Sequence, residues 1–300
     1  MMEVLKSEEK RVKVNNIEIV YDTFGDPRFT PILLIMGLGS QMILWDEIFC
    51  KKIASKGYWV IRYDNRDVGL STKLEDEEVP NPMALIQKIM QGEELSVPYT
   101  LLDMAKDAVG LLDELKLEKA HLVGVSMGGM IAQTVAISYP KRVKTLTSIM
   151  SSTNDPELPQ PKPEAMTILM TTPPADRAEN IEHSIQMWNF LNGSVYPLDE
   201  QFIRDRSTLV FDRCYYPQGT TRQLAAILAS GSRREALKEL KIPTLVIHGD
   251  NDPLVPVEGG KDTAAAIPNS KLLIIKGMGH NIPPQVAPQI IEAIIQHISV

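Results

Sequence analysis

The 300-residue chain is poor in cysteine: Cys50 and Cys214 are its only two, far apart and outside any paired motif. That argues against a disulfide scaffold, and beside fourteen methionines it suits a reducing, cytoplasmic setting. Dense positive charge is lacking too. Lys and Arg number 31 against 38 Asp and Glu, a net charge of −7, and basic residues come no denser than Lys141–Arg142–Lys144. Binding a phosphate backbone needs a concentrated basic face, so nucleic acid is not expected as a partner. Long apolar runs are also missing. The most apolar window, Pro31–Trp45, is broken by Gly37, Gly39, Ser40 and Gln41, which leaves it too short to span a bilayer. The start, MMEVLKSEEKRVKV, is charged throughout and does not read as a signal peptide. The five histidines (121, 183, 248, 280 and 297) never fall at helical pair spacing, so no metal site is expected, and no motif implies a cofactor.

What is present is an ordinary globular balance, 44% hydrophobic and 23% charged, with length enough for a sizeable core. Val12–Asn15 and Ile17–Tyr21 flank a short polar turn and read as a hairpin. Pro31–Met36 is a continuous apolar run ended by glycine, which suits a strand buried on both faces. Gln41–Ser55 reads as a helix, Tyr58–Tyr63 as a strand and Tyr99–Leu115 as a helix opened by a capping box of Thr100 and Asp103. Ala120–Val125 is a third apolar strand, Met127–Tyr139 a helix stopped by Pro140, and Val143–Met150 a fourth strand.

Strand and helix alternate to about Ser151, the pattern of a doubly wound, mostly parallel α/β sheet. Residues 152–232 then break it, with prolines at 156, 159, 161, 163, 173, 174, 197 and 217, helical stretches between them and no convincing strand. The alternation resumes with a strand Thr244–His248, a helix Gly260–Ala266, a strand Lys271–Ile275 and a helix Gln285–His297. The expected organisation is a core built from residues 1–151 and 233–300, with residues 152–232 as a helical cap over the strand ends.

Ser126 stands between an apolar strand and an alanine-rich helix, in the pattern Gly124-Val-Ser126-Met-Gly128. A nucleophile on a sharp strand-to-helix turn needs small neighbours, because side chains there would collide. The turn also puts its hydroxyl at a helix N-terminus, where free N–H groups favour a developing oxyanion. A serine needs a base at neutral pH. His280 ends Lys276-Gly-Met-Gly-His280, just past the last strand, where it can reach the same crevice. The orienting acid belongs on the preceding loop, His248-Gly-Asp250-Asn-Asp252-Pro-Leu-Val-Pro256, where two aspartates compete. Asp252 is favoured because Pro253 holds its backbone extended. Asp250, nearer the strand end, is expected to cap the turn through its own backbone N–H groups, and His248 to be structural. The oxyanion donors are expected to be the N–H of Met127 and, from the glycine-flanked loop Met36–Ser40, that of Leu38.

Together GVSMGG (124–129), HGDNDPLVP (248–256) and GMGH (277–280) resemble the nucleophile, acid and base motifs of the α/β-hydrolase superfamily, in its order and over nearly the whole chain. The resemblance also supports Asp252 over Asp250. Ile61–Ser71 and Tyr215–Gly219 look closest to the aclacinomycin methylesterase-like branch, and in the family the Asp64–Ser71 turn is structural. Many relatives have histidine where this chain has Met36, so the hydrogen bonds around the oxyanion loop must differ.

The resemblance implies hydrolysis of a carboxylic ester of a small, largely neutral molecule through an acyl-enzyme. Alternatives on the same fold are a carbon–carbon bond hydrolase or a perhydrolase with the same triad, or a non-catalytic ligand-binding protein. Within the cap, Met170, Met187 and Trp188 are the candidate substrate-binding residues, flexible and aromatic groups that suit neutral apolar ligands.

Overall fold

The computed structural model describes residues 4–299; the outermost residues of the charged N-terminal stretch (1–3) and Val300 lie outside them. Eight strands form one sheet in the order β1-β2-β4-β3-β5-β6-β7-β8. The hairpin consists of β1 (Lys10–Val14) and β2 (Ile17–Phe24), paired antiparallel with Val12 opposite Ile19. Its turn is Asn15–Asn16, both at positive φ, which asparagine tolerates and a two-residue hairpin requires. β2 also runs antiparallel to β4 (Tyr58–Tyr63), and every later pairing is parallel.

The central strands are apolar on both faces because both faces are covered. In β3 (Thr30–Ile35), Ile32 and Leu34 point to one side of the sheet, Leu33 and Ile35 to the other. On the first side they meet α1 (Glu47–Ala54) and the C-terminal helix, which buries Ile290, Ile291, Ile294 and Ile298. On the opposite side lie α3 (Leu101–Glu114), opened by the Thr100–Asp103 capping box, and α4 (Met127–Ser138). Between α1 and α3 comes α2 (Pro82–Gln91), capped by Asn81 and buried only at Leu85.

The helix expected over Gln41–Ser55 is interrupted. A 3₁₀ turn covers Met42–Leu44, Trp45 is extended, and Asp46 starts α1 afresh by accepting the Ile48 N–H at 2.7 Å. The apolar residues Met42 and Leu44 carry the pattern across a break that the Asp46 cap makes.

The chain reverses winding direction between β3 and β5 (Ala120–Val125), which are neighbours, so a crevice opens at their C-terminal ends. After β6 (Val143–Ile149) come four helices: α5 (Pro163–Met170), α6 (Arg177–Asn192), α7 (Glu200–Arg213) and α8 (Pro217–Ala229). They hold a small apolar cluster of Ile181, Ile185 and Ile203, with Trp188 and Leu198 packed on it. A short α9 (Arg234–Leu237) leads into β7 (Thr244–Gly249), α10 (Val257–Ala266), β8 (Lys271–Ile275) and α11 (Ala287–Ile298).

Candidate active site

Ser126 occupies the single residue between β5 and α4, with φ 55° and ψ −122°. Positive φ in a non-glycine residue costs of order 1–3 kcal/mol and persists only where the surroundings impose it. Here they do. A Cβ on Gly124 would lie 2.1 Å from the Gly128 carbonyl oxygen, and one on Gly128 2.1 Å from that of Ile35. The two glycines let strand and helix meet at an angle that leaves the Ser126 side chain in the crevice.

His280 comes to Ser126 from the far end of the chain. Its backbone N–H donates to the Leu191 carbonyl at 2.7 Å, at the end of α6, and a Cβ on Gly279 would lie 2.2 Å from that same oxygen. The imidazole is buried, with Nε2 3.0 Å from Ser126 Oγ and Nδ1 2.7 Å from Asp252 Oδ2. A carboxylate only accepts, so Nδ1 carries the proton and Nε2 is left to accept from the serine hydroxyl. The structure thus brings Ser126, His280 and Asp252 into one chain of hydrogen bonds.

Burial opposes the charge on Asp252, yet the charges and hydrogen bonds of His280 and His248 outweigh it, and its carboxyl is held well below the usual range. The other oxygen, Oδ1, accepts the N–H groups of Leu254 at 2.9 Å and Val255 at 2.8 Å. Asp252 therefore caps its own turn, the task expected of Asp250. Asp250 instead reaches across to the histidine loop, accepting the Gly277 N–H at 2.5 Å. Asp252 is buried and Asp250 exposed. His248 is wholly buried at the end of β7, with Nε2 2.8 Å from the Val255 carbonyl and 3.5 Å from Asp252 Oδ2.

The loop after β3 runs beside the serine: a Cβ on Gly37 would lie 3.2 Å from Ser126 Cβ. Gly39 donates its N–H to Gln223 Oε1 at 2.8 Å and Ser40 donates to the Gly37 carbonyl. Among the described residues no acceptor takes the Leu38 N–H, and Met127, as the first residue of α4, has no intrahelical acceptor. Asn65 Nδ2 donates to the Met36 carbonyl at 3.0 Å. The neighbouring turn is held from within: Asp64 accepts the N–H groups of Met42 and Leu70 and pairs with Arg213 at 2.8 Å.

Ser126, His280, Leu38 and Met127 line a cavity of about 1150 Å³, and so do Met170, Met187 and Trp188. Asp252 stands behind the imidazole, outside the lining. The wall is mostly apolar, but two cationic side chains that the sequence did not mark, Lys52 and Arg206, also line it. Arg206 of α7 lines the cavity, its guanidinium donates to the Leu44 carbonyl, and burial, opposed by the charge of Asp46, pushes its pKa down to about 10. Its signal was its place beside Ile203 and Ser207, the buried stripe of α7.

Comparison with known proteins places the chain in a family. The family described as alpha/beta hydrolase fold matches residues 30–285. The chain is similar to the rhodomycin D methylesterase DauP of Streptomyces sp. (strain C5), 27% identical over 96% of this chain and 97% of that protein. It is also similar to a 2-hydroxy-6-oxononadienedioate/2-hydroxy-6-oxononatrienedioate hydrolase of Cupriavidus pinatubonensis, 33% identical over 57% of this chain and 59% of the relative. Among solved structures, an esterase from Exiguobacterium antarcticum superposes with a TM-score of 0.76 at 18% identity, covering 98% of this chain and 100% of that one. The chain belongs to the alpha/beta hydrolase family, as an enzyme of its esterase type.

Proposed function

We propose that the protein is a serine esterase acting on a carboxylic ester, foremost a methyl ester, of a small and largely apolar molecule. One observation carries the reading: the two nitrogens of His280 bridge Ser126 and Asp252 at 3.0 and 2.7 Å. Ser126 attacks the ester carbonyl carbon as its proton passes to His280 Nε2, while Asp252 holds the ring and stabilises its charge. The N–H groups of Leu38 and Met127 take the oxyanion. Collapse of the intermediate expels the alcohol, which leaves with the proton from His280. Water, deprotonated in turn by His280, then cleaves the acyl-serine and releases the acid. Residues 152–232 act as the cap, and Met170, Met187 and Trp188 select the substrate. The unpaired state of Cys50 and Cys214 supports a cytoplasmic location.

The methyl ester is favoured by the similarity to a methylesterase over nearly the whole chain and by the apolar cavity. A fluorophosphonate should add one adduct, mapped to Ser126, and Ser126→Ala should abolish both labelling and methyl-ester turnover. Labelling elsewhere, or turnover that survives in Ser126→Ala, overturns the reading. Arg206 favours a second reading, a carbon–carbon bond hydrolase whose substrate carries a carboxylate for that guanidinium to bind.

A further inference from the structure

Gln223 lies on α8, wholly buried, and hydrogen-bonds to none of the three residues of the candidate site. Its Oε1 accepts the Gly39 N–H at 2.8 Å and its Nε2 donates to the Arg66 carbonyl at 2.8 Å. A donor on one side and an acceptor on the other fix the amide in one orientation. The side chain therefore joins three pieces of the molecule: the inserted helix α8, the loop after β3, and the turn at residues 64–71.

That bridge has a counterpart. Asn65 Nδ2 holds the Met36 carbonyl, so the loop is pinned on both sides of Leu38, at Met36 O and at Gly39 N. Fixing the Gly39 N–H towards α8 fixes the plane of the Leu38–Gly39 peptide. The preceding peptide, between Gly37 and Leu38, is then the one whose N–H can face the serine, against which Gly37 already lies. Gly39, at φ 62°, also backs onto α8 directly, since a Cβ there would meet Thr220 Oγ1 at 2.6 Å.

We infer that Gln223 is a positioning residue, which aims the Leu38 N–H at the oxyanion by holding the Gly39 N–H away from it; this rests on the serine esterase reading above. Beside Gly219 and Ala226, the buried residues one turn away on α8, the Gln223 amide supplies partners to two backbone groups, and one of them, the Gly39 N–H, belongs to the oxyanion loop. The amide is worth burying because it sets the loop.

Gln223→Met, similar in shape and without acceptor or donor, tests the inference. A donor displaced by about an ångström costs on the order of 10²-fold in rate, so kcat should fall by about that factor with KM little changed. The affinity of a trifluoromethyl ketone, whose adduct with Ser126 carries an oxyanion, should fall in parallel. Binding of the product acid should not. Gln223→Glu keeps an acceptor for Gly39 and should recover most of kcat although it is less stable than wild type, so activity and melting temperature part company. Gln223→Asn, too short to span both partners, repeats the loss if the methionine variant does not fold. Folded Gln223→Met or Gln223→Asn protein with kcat and ketone affinity within twofold of wild type overturns the inference. Labelling and inactivation at Ser126 stand or fall separately, which distinguishes this failure from failure of the esterase reading.

Discussion

Asp250 and Gly277 are joined by a 2.5 Å hydrogen bond, from the backbone N–H to the carboxylate, and it ties the loop after β7 to the loop that carries His280. The two aspartates of one loop thus hold the histidine segment at different points, Asp250 by its backbone and Asp252 by its ring. Asp252→Asn should keep the shape but reverse the hydrogen-bonding at Nδ1, with a cost of up to ~10⁴ in kcat. Asp250→Ala removes one backbone partner and should lower stability by about 1 kcal/mol, with a much smaller change in rate. Steady-state kinetics beside urea unfolding measures both; the opposite ranking of kcat losses would show that Asp250 is the orienting acid.

The cavity wall makes a second prediction. Met170→Ala, Met187→Ala and Trp188→Ala should each shift relative kcat/KM along a series of esters of increasing acyl length. Uncharged short, medium or aromatic esters should be preferred throughout to long-chain triglycerides. Trp188 also packs on the Ile181–Ile185–Ile203 cluster, so its truncation should lower the melting temperature as well. Unchanged preference in all three folded variants would move specificity to the core loops.

Arg206 separates the two functional readings. Arg206→Met should leave kcat/KM for a neutral methyl ester within a few-fold and raise KM for a substrate bearing a distal carboxylate by 10-fold or more. If turnover of neutral esters collapses while the fold persists, the guanidinium serves the common chemistry rather than recognition.

Stability should depend on His121. Its Nδ1 meets Thr145 Oγ1 at 2.9 Å and its ring packs edge-on against Tyr58; burial, with the charges of Lys144 and His297, pushes its pKa down to about 4. An unfolded histidine titrates near ~6.5. Between those values the unfolded chain binds a proton that the folded one refuses, so stability falls as pH drops from ~6.5 towards 4. In His121→Gln that part of the decline should flatten, as read from urea midpoints at several pH values. Parallel curves for the two proteins would mean that the imidazole is not desolvated in the fold.

The strands were legible because runs such as Ile32–Ile35 and Ala120–Val125 must be apolar on both faces, and Ser126 because a sharp turn admits only small neighbours. Two helical details were not. Met42 and Leu44 extend an apolar pattern through the break at Asp46, and α2 buries so little that its pattern carries almost no core signal. Asp252 was favoured for the proline that follows it, but the capping of the turn was given to Asp250 for its nearness to the strand end, whereas Asp252 Oδ1 accepts the Leu254 and Val255 N–H groups. Gln223 was out of reach for another reason. Its partner Gly39 is 184 positions away, and a glutamine in an apolar helix face carries no local mark of what it will meet.

The 2.7 Å bond from the His280 N–H to the Leu191 carbonyl constrains how a substrate gets in. The loop that carries the imidazole is fastened to the end of α6, so swinging the inserted helices away as one flap would pull the ring off the serine. Ile48, Ile89 and Met90 on the core side and Phe202 on α7 also line the cavity and are exposed, so a substrate that enters beside them leaves that bond uncut. Entry of that kind keeps the proton relay assembled between one molecule and the next.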